Sequence, residues 1–292
     1  MHTTRRFYAA LSMLRRCAAG AALATLLGAC ASPVMAPAIN AERIRAVLDN
    51  PARAAADRSN DVRRKPEQML AFIGVRPGMQ ALDISAAGGY TTELLARAIG
   101  AGGVVYGQNP RRDPERAVPA PAAPEGNSNP GAASTPARGA PPPRLSLTDR
   151  EKNLAAAGGA ARLVPLAQSF DNPVPAELAD GKLDLVTLMF NYHDFGFMGV
   201  DRAQMNRAIF RALKPGGMFI IADHAGRAGT GISESGTLHR IEEAFLRSEV
   251  TAAGFRLAAR GDFLANPNDP RDRNVPNPPQ PKDDFVLKFV KP

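Results

Sequence analysis

The segment Gly78–Tyr90, GMQALDISAAGGY, constrains the fold of this chain more than any other stretch. It reads as a turn, a short apolar strand Gln80–Ile84 with Asp83 near its end, and a loop of small residues. The loop runs into an amphipathic helix, Thr91–Ile99. Strand, tight turn and helix N-terminus, in that order, form the unit with which an α/β domain holds an adenosine-type cofactor at the carboxyl end of its first strand. Two turn positions where glycine is expected carry Ser85 and Ala87 instead. Their Cβ atoms restrict φ and fill space next to the backbone.

The remaining pattern alternates between strand and helix, as a parallel sheet requires. Ala41–Leu48 and Val62–Ile73 read as short helices. Gly102-Gly103 leads into a second strand, Val104–Gly107, and a helix from about Ser146 to Ala157 precedes a third, Leu163–Ala167. Asp184–Phe190, DLVTLMF, is a continuous apolar run suited to a central strand buried on both faces. Asp201 can cap a helix that places Met205, Ile209 and Leu213 on one face. Met218–Ala222 is the next buried strand. Leu238, Ile241 and Phe245 have the spacing of another helix, ending at Gly254, and Phe255–Ala259 and Phe285–Val290 are the last two strands.

Two segments stand apart from this core. Arg5, Arg6, Arg15 and Arg16 precede an apolar run, Cys17–Ala29, that ends Leu27-Gly28-Ala29-Cys30. A basic start, a short apolar stretch and small residues before the cut predict a secretory signal over residues 1–30. Its Leu-Gly-Ala-Cys ending resembles a bacterial lipobox, which implies lipidation of Cys30 and a membrane-anchored protein on the periplasmic side of the cell envelope, at the outer membrane. Residues 31–60 then read as a tether and N-terminal helix, and 61–292 as the main domain. Within it, 110–143 contains ten prolines and eight alanines in 34 residues, with Val118 as its one large aliphatic side chain. Such a stretch cannot bury a core and is expected to be a disordered or polyproline-like insertion.

Charge and cysteine content exclude some functions. Setting aside the four leader arginines leaves 32 of the 36 basic residues against 28 acidic ones, a net charge of +4. The basic residues are scattered and tryptophan is absent, so there is no basic, aromatic-interleaved stripe for nucleic acid. The two cysteines, Cys17 and Cys30, both fall within the first thirty residues. Cysteine catalysis and cysteine metal sites are therefore excluded from the domain.

Three pieces together resemble the class I S-adenosylmethionine-dependent methyltransferases. PGMQALDISAAGGYTTELLA is similar to the family's first motif, LDLVTLMFNYHDF to its fourth strand and following loop, and RALKPGGMFIIAD to its helix, turn and fifth strand. More narrowly, FNYHDF, DHAGRAGTG and TLHRIEEAF resemble a group of exported bacterial predicted methyltransferases. The resemblance implies a seven-stranded, mostly parallel sheet with an antiparallel last strand, S-adenosyl-L-methionine as cofactor, and a small-molecule or envelope substrate. It implies a cofactor site made by Asp83, Ser85, Ala87, Gly89 and Tyr90. Asn109 would reach the ribose, Asp171 the adenine region, and Phe190 and Asn191 the donor side. Phe190 and Tyr192 could present ring faces to the sulfonium.

The histidines provide a separate clue. Apart from His2 there are three: His193 after strand four, His224 after strand five, and His239 at the expected start of the next helix. All three fall at the carboxyl edge of the sheet, where open α/β folds bind ligands. Asp194 and Asp223 adjoin two of them. His193, Asp194, His224 and His239 are therefore candidate acid–base or substrate-positioning residues. The same set leaves open metal ligation, and a non-catalytic ligand-binding protein on this fold is a further alternative.

Overall fold

The computed structural model describes residues 36–111 and 145–292, except 277 and 279. The leader with Cys30, and all of the proline-rich stretch beyond Arg111, lie outside the described residues. From Ala36 onward the chain is one compact unit.

Its centre is a seven-stranded sheet in the order β3-β2-β1-β4-β5-β7-β6. The strands are β1 (Gln80–Ile84), β2 (Val104–Asn109), β3 (Arg162–Ala167), β4 (Leu183–Met189), β5 (Leu213–His224), β6 (Arg256–Gly261) and β7 (Asp284–Val290). β1 to β5 pair in parallel, while β7 runs antiparallel to both β5 and β6. The order reverses between β1 and β4, so the crevice outside their carboxyl ends is the expected ligand position.

Helices cover both faces. α1 (Ala41–Leu48), α3 (Pro66–Ile73), α4 (Tyr90–Ile99) and α5 (Leu147–Ala157) pack on one side against Ala81, Val105, Leu185 and Ile220. α6 (Arg202–Ala212) and α7 (Glu243–Ala252) cover Leu82, Ile84, Val186 and Phe219 on the other. β4 is continuously apolar because both of its faces are covered: Leu185, Val186 and Leu188 are fully buried. Each such side chain contributes roughly 1.5–3 kcal/mol through loss of water contact.

Two predicted elements differ from the sequence reading. The single helix expected over Val62–Ile73 is two helices, α2 (Ala55–Arg64) and α3, broken at Lys65 with φ 44° and ψ 58°. Pro66 is the cause: its ring disfavours the right-handed helical region for the preceding residue, and its missing N–H suits the first position of a new helix. α1, at the bounds expected for the N-terminal helix, and α2 both belong to the compact unit that begins at Ala36.

The helix expected to begin near Leu238 starts only at Glu243. Ile241 forms a bridge with Ala225 beyond the end of β5, through Ile241 N–H to the His224 carbonyl (3.0 Å) and Gly226 N–H to the Ile241 carbonyl (2.8 Å). Ile241 is buried in extended backbone, and its helical spacing from Phe245 was coincidental. His239 therefore lies in a connecting segment, at φ 53°, pinned beside the carboxyl end of β5.

Candidate active site

The turn after β1 keeps a left-handed backbone although glycine is missing from two of its positions. Ser85, Ala87 and Gly89 have φ of 57°, 49° and 84°. For a residue with a Cβ this conformation costs about 1–2 kcal/mol. The flanking strand holds it in place. Gln108, fully buried, accepts the Ser85 N–H with its side-chain oxygen (3.1 Å) and donates to the Gln168 carbonyl (2.6 Å). Asn109 grips Ala87 at both ends of its peptide unit, accepting its N–H (2.8 Å) and donating to its carbonyl (3.0 Å). Gly89 is required for space as well as for φ. A Cβ there would lie 2.7 Å from Leu147 Cδ2 and 2.9 Å from Arg150 Cδ.

Asp83 closes the base of the turn. Its two oxygens accept the hydroxyls of Thr92 (2.6 Å) and Thr187 (2.7 Å). Burial raises its carboxyl to about 6, against the opposing pull of those two hydroxyls and the Arg64 charge.

α2 roofs the turn and is fastened by two ionic groups. Arg53 forms a two-pronged pair with Asp61, whose Oδ1 also accepts the Tyr90 hydroxyl at 2.6 Å. Arg150 of α5 pairs with Asp57 (2.6 Å) and Glu93, and its Nε donates to the Gly88 carbonyl. Arg150 thereby ties α2, α4 and the turn together. Between turn and roof lies a cleft of about 750 Å³, lined by Asp83, Ser85, Ala87, Tyr90, Phe190 and Asn191, with Arg63 and Arg64 from α2.

Phe190, the residue after β4, has φ 61°, which is rare for a bulky residue. Its N–H reaches the Ala222 carbonyl (2.7 Å), which fixes the peptide, and the Arg64 guanidinium stacks 4.0 Å from the ring centroid. Burial, aided by repulsion from Arg63, lowers the Arg64 guanidinium to about 10. The ring of His224 is 5.5 Å from that of Phe190.

The three histidines do converge, through buried carboxylates. Asp223, with no exposed surface, accepts the His193 backbone N–H (2.7 Å) and the His224 backbone N–H (2.9 Å), and its Oδ1 is 2.6 Å from His193 Nδ1. His193 Nε2 is 3.0 Å from Asp194 Oδ1, and the same oxygen is 2.7 Å from His239 Nδ1. Burial alone would lower His193, but the two carboxylates outweigh it and raise the imidazole to about 9. Both its nitrogens are engaged and the residue is 2 % exposed. With a carboxylate oxygen at each ring nitrogen, His193 is held toward the imidazolium form and organises the rim.

His224 is placed differently. Its Nδ1 is 2.6 Å from Asp284 Oδ1, and its ring lines a second cavity. Burial and the Lys282 charge push this imidazole well below its usual range. Burial and the nearby Asp223 raise Asp284 to about 7. The two shifts favour a neutral imidazole beside a carboxyl that ionises only as pH rises through about 7. His193, Asp194 and His239 are the group among the described residues that could jointly face a cation. A single Asp194 oxygen lies within hydrogen-bond distance of one nitrogen of each imidazole.

The other predicted residues divide. Asp83, Ser85, Ala87, Tyr90, Phe190 and Asn191 line the cleft, and Gly89 shapes its turn. Asn109 is engaged with Ala87 rather than directed at a ribose. Asp171 accepts the Asp201 N–H (2.6 Å) and does not line the cleft. Tyr192 is fully buried and bonded to Glu249 and Asn206, so its ring is no part of a donor site. Asp284 and Lys282 were missed. Asp284 was accessible only through the antiparallel register of β5 and β7, which sets it opposite His224.

A scan against protein-family models and a search of curated proteins return no match. Solved structures do match. A SAM-dependent methyltransferase from Aquifex aeolicus superposes with a TM-score of 0.51 at 16 % identity, over 87 % of this chain and 100 % of that one. An arsenic(III) S-adenosylmethionine methyltransferase from Chlamydomonas reinhardtii gives 0.49 at 15 % identity, over 85 % and 73 % of the two chains. At these identities the likeness establishes the fold: a seven-stranded α/β sheet of the methyltransferase type with an antiparallel last strand.

Two measurements test this geometry. Asn109→Ala should destabilise the protein by about 1–2 kcal/mol. In an Ala87→Gly background, where the turn no longer needs holding, that loss should shrink by roughly 0.5 kcal/mol or more; strict additivity in urea unfolding would mean that Asn109 does not brace the turn. His193 supplies a pH signature. Its folded pKa of about 9 exceeds the unfolded 6.5, so its contribution is complete below pH 6.5 and disappears as pH rises through 9. The stability difference between the native protein and His193→Asn should therefore shrink by up to about 3 kcal/mol across that window. A constant difference would refute the charged assignment.

Proposed function

We propose that the chain is an S-adenosylmethionine-dependent methyltransferase, with His224 and Asp284 as the proton-accepting pair. One observation carries the reading. The left-handed turn at the β1/β4 switch point opens onto a cleft of about 750 Å³ whose Phe190 wall stands 5.5 Å from an imidazole paired with a buried carboxylate. The cleft is of the size in which proteins enclose a small ligand. Arg63 and Arg64 suit the cofactor's carboxylate, and the hydroxyl of Ser85 and the amide of Asn191 are polar groups available on its walls. When bound, the cofactor supplies an electrophilic methyl group, whose bond to sulfur breaks with its electron pair left on sulfur as the acceptor oxygen bonds to carbon.

The chain's own residues align and deprotonate. The strained Phe190 peptide and the braced turn hold the two walls at fixed separation, which favours an in-line approach. The ionised Asp284 accepts a hydrogen bond from the Nδ1–H of neutral His224, which leaves the Nε2 lone pair to take the acceptor's proton. His193 and Asp194 fix the rim, and His239 forms its outer end.

A second reading, a non-catalytic binding protein on the same fold, is favoured by one observation: both amides at the end of β2 are engaged with neighbouring backbone, leaving no carboxylate there for a ribose. Calorimetry separates the two. Millimolar S-adenosylmethionine or S-adenosylhomocysteine should bind the purified domain, and absence of any heat or thermal shift would sink the methyltransferase reading. His224→Asn should lower kcat by on the order of 10²-fold or more while cofactor affinity holds within a few-fold. Asp284 must be ionised, so turnover should rise as pH passes about 7, and Asp284→Asn should remove that ascending limb. A rate that is flat with pH in the native enzyme would exclude this base.

The leader pattern supports a lipid-anchored protein acting in the cell envelope on a small molecule or envelope component. Mass spectrometry of the exported protein should find a mature chain beginning at diacylated Cys30; an unmodified Cys30 within an intact N-terminus would overturn the anchoring.

A further inference from the structure

A second cavity, of about 620 Å³, adjoins the first across the last turn of α2. Arg63 lines both, and His224 lines the second beside the Phe190 wall of the first. Its other charged residues are Lys65, Lys282 and Asp284, and its rim carries the amides of Asn266 and Asn274.

Basic side chains outnumber carboxylates in the lining of this cavity, three to one. Arg53, Arg97, Arg150, Arg202 and Arg240 are each paired with a carboxylate. No carboxylate oxygen among the described residues lies within 4 Å of the charged nitrogens of Arg63, Lys65 or Lys282. The Lys65 ammonium donates to the Phe263 carbonyl (2.5 Å), and that of Lys282 to Asn274 Oδ1 (2.8 Å), so both are held against the wall by neutral acceptors. Burial and the neighbouring Arg240 lower Lys282 to about 8, against the opposing pull of Asp284, Asp223 and Asp194. The one carboxylate of the cavity, Asp284, is bonded to His224. Three positive groups and a single carboxylate therefore line a space of ligand size, which leaves it net positive.

Resting on the methyltransferase reading above, we propose that this cavity is the acceptor site and that it takes a small soluble molecule bearing a carboxylate or phosphate group. Lys65 and Lys282 bind the anionic group, and this orients a hydroxyl of the same molecule toward His224 Nε2. An anionic end satisfies all three cations at once, and charge-assisted hydrogen bonds are stronger than the neutral ones those lysines now make. A neutral acceptor would leave them desolvated and unpaired, which is unfavourable. The charge of the cavity thus acts as a specificity filter as well as an anchor.

The test is anion binding to the intact domain, read separately from turnover. Benzoate and inorganic phosphate, at millimolar concentration and constant ionic strength, should each be tried against benzamide and chloride as controls. At least one of the two anions should raise Tm by several degrees, and the controls should not. Which anion acts tells carboxylate recognition from phosphate recognition. The Lys65→Gln/Lys282→Gln variant should bind that anion at least tenfold more weakly, whereas Lys182→Gln, on an exposed surface away from the cavity, should bind it normally. S-adenosylhomocysteine binding by the double variant reports that it is folded and that the first cleft is intact. A shift equal for benzamide and benzoate, no shift with either anion, or a shift that survives in the folded double variant would overturn the proposal. If anions bind as expected but S-adenosylhomocysteine does not bind the native protein, the donor reading fails and the anion site stands.

Discussion

Everything at the carboxyl edge of the sheet depends on how strand β2 grips the turn that follows β1. A run of alternating left-handed residues is natural for glycine and unfavourable for serine and alanine. Here Gln108 and Asn109 occupy the last two positions of β2 and point their amides at the peptide units of Ser85 and Ala87. The contacts exist only because β1 and β2 are paired in register, with Ile84 opposite Gln108. Sheet pairing thereby sets the turn, the turn sets the start of α4, and α4 supplies Thr92 to hold Asp83. A chain without turn glycines reaches the same backbone by moving the constraint into its neighbour.

The opposite wall follows a related logic, with Asp223 as the common element. Its two oxygens receive the backbone N–H groups of His193 and His224 as well as the ring of His193. The residue is fully buried, and an unpaired carboxylate there would be strongly unfavourable. The two histidines then diverge in character. His193, flanked by carboxylates at both nitrogens, is held as a cation. His224, facing a cavity rich in positive charge, is held neutral. Identical side chains a ring's width apart thus have separate duties because their surroundings drive them in opposite directions.

Much of this architecture was legible in the amino-acid sequence. The apolar runs at Gln80–Ile84, Asp184–Phe190 and Met218–Ala222 could only be buried parallel strands, and the structure has them close to those bounds. The break at Lys65 was also written there, in the proline that follows it. Other features depended on information that no local pattern carries. The extended segment at Ile241 has helical apolar spacing, but a backbone bridge to Ala225 decides its shape. Asp284 meets His224 through strand register, and Asn109 turns inward because Ala87 needs it. Tyr192 reads as an exposed rim aromatic, yet Glu249 and Asn206 draw its hydroxyl into the opposite layer.

Helix α5 carries within its first turn both its own start and its hold on the cleft. Ser146 and Asp149 form a reciprocal cap that starts the helix without help from what precedes it. One turn later Arg150 is bonded to the Gly88 carbonyl, Asp57 and Glu93. Start signal and grip are therefore both set within one turn of the same helix. The wall that α5 contributes to the cleft is thus placed by five consecutive residues, Ser146 to Arg150, and a change at either end of that short run would be felt at the turn after β1.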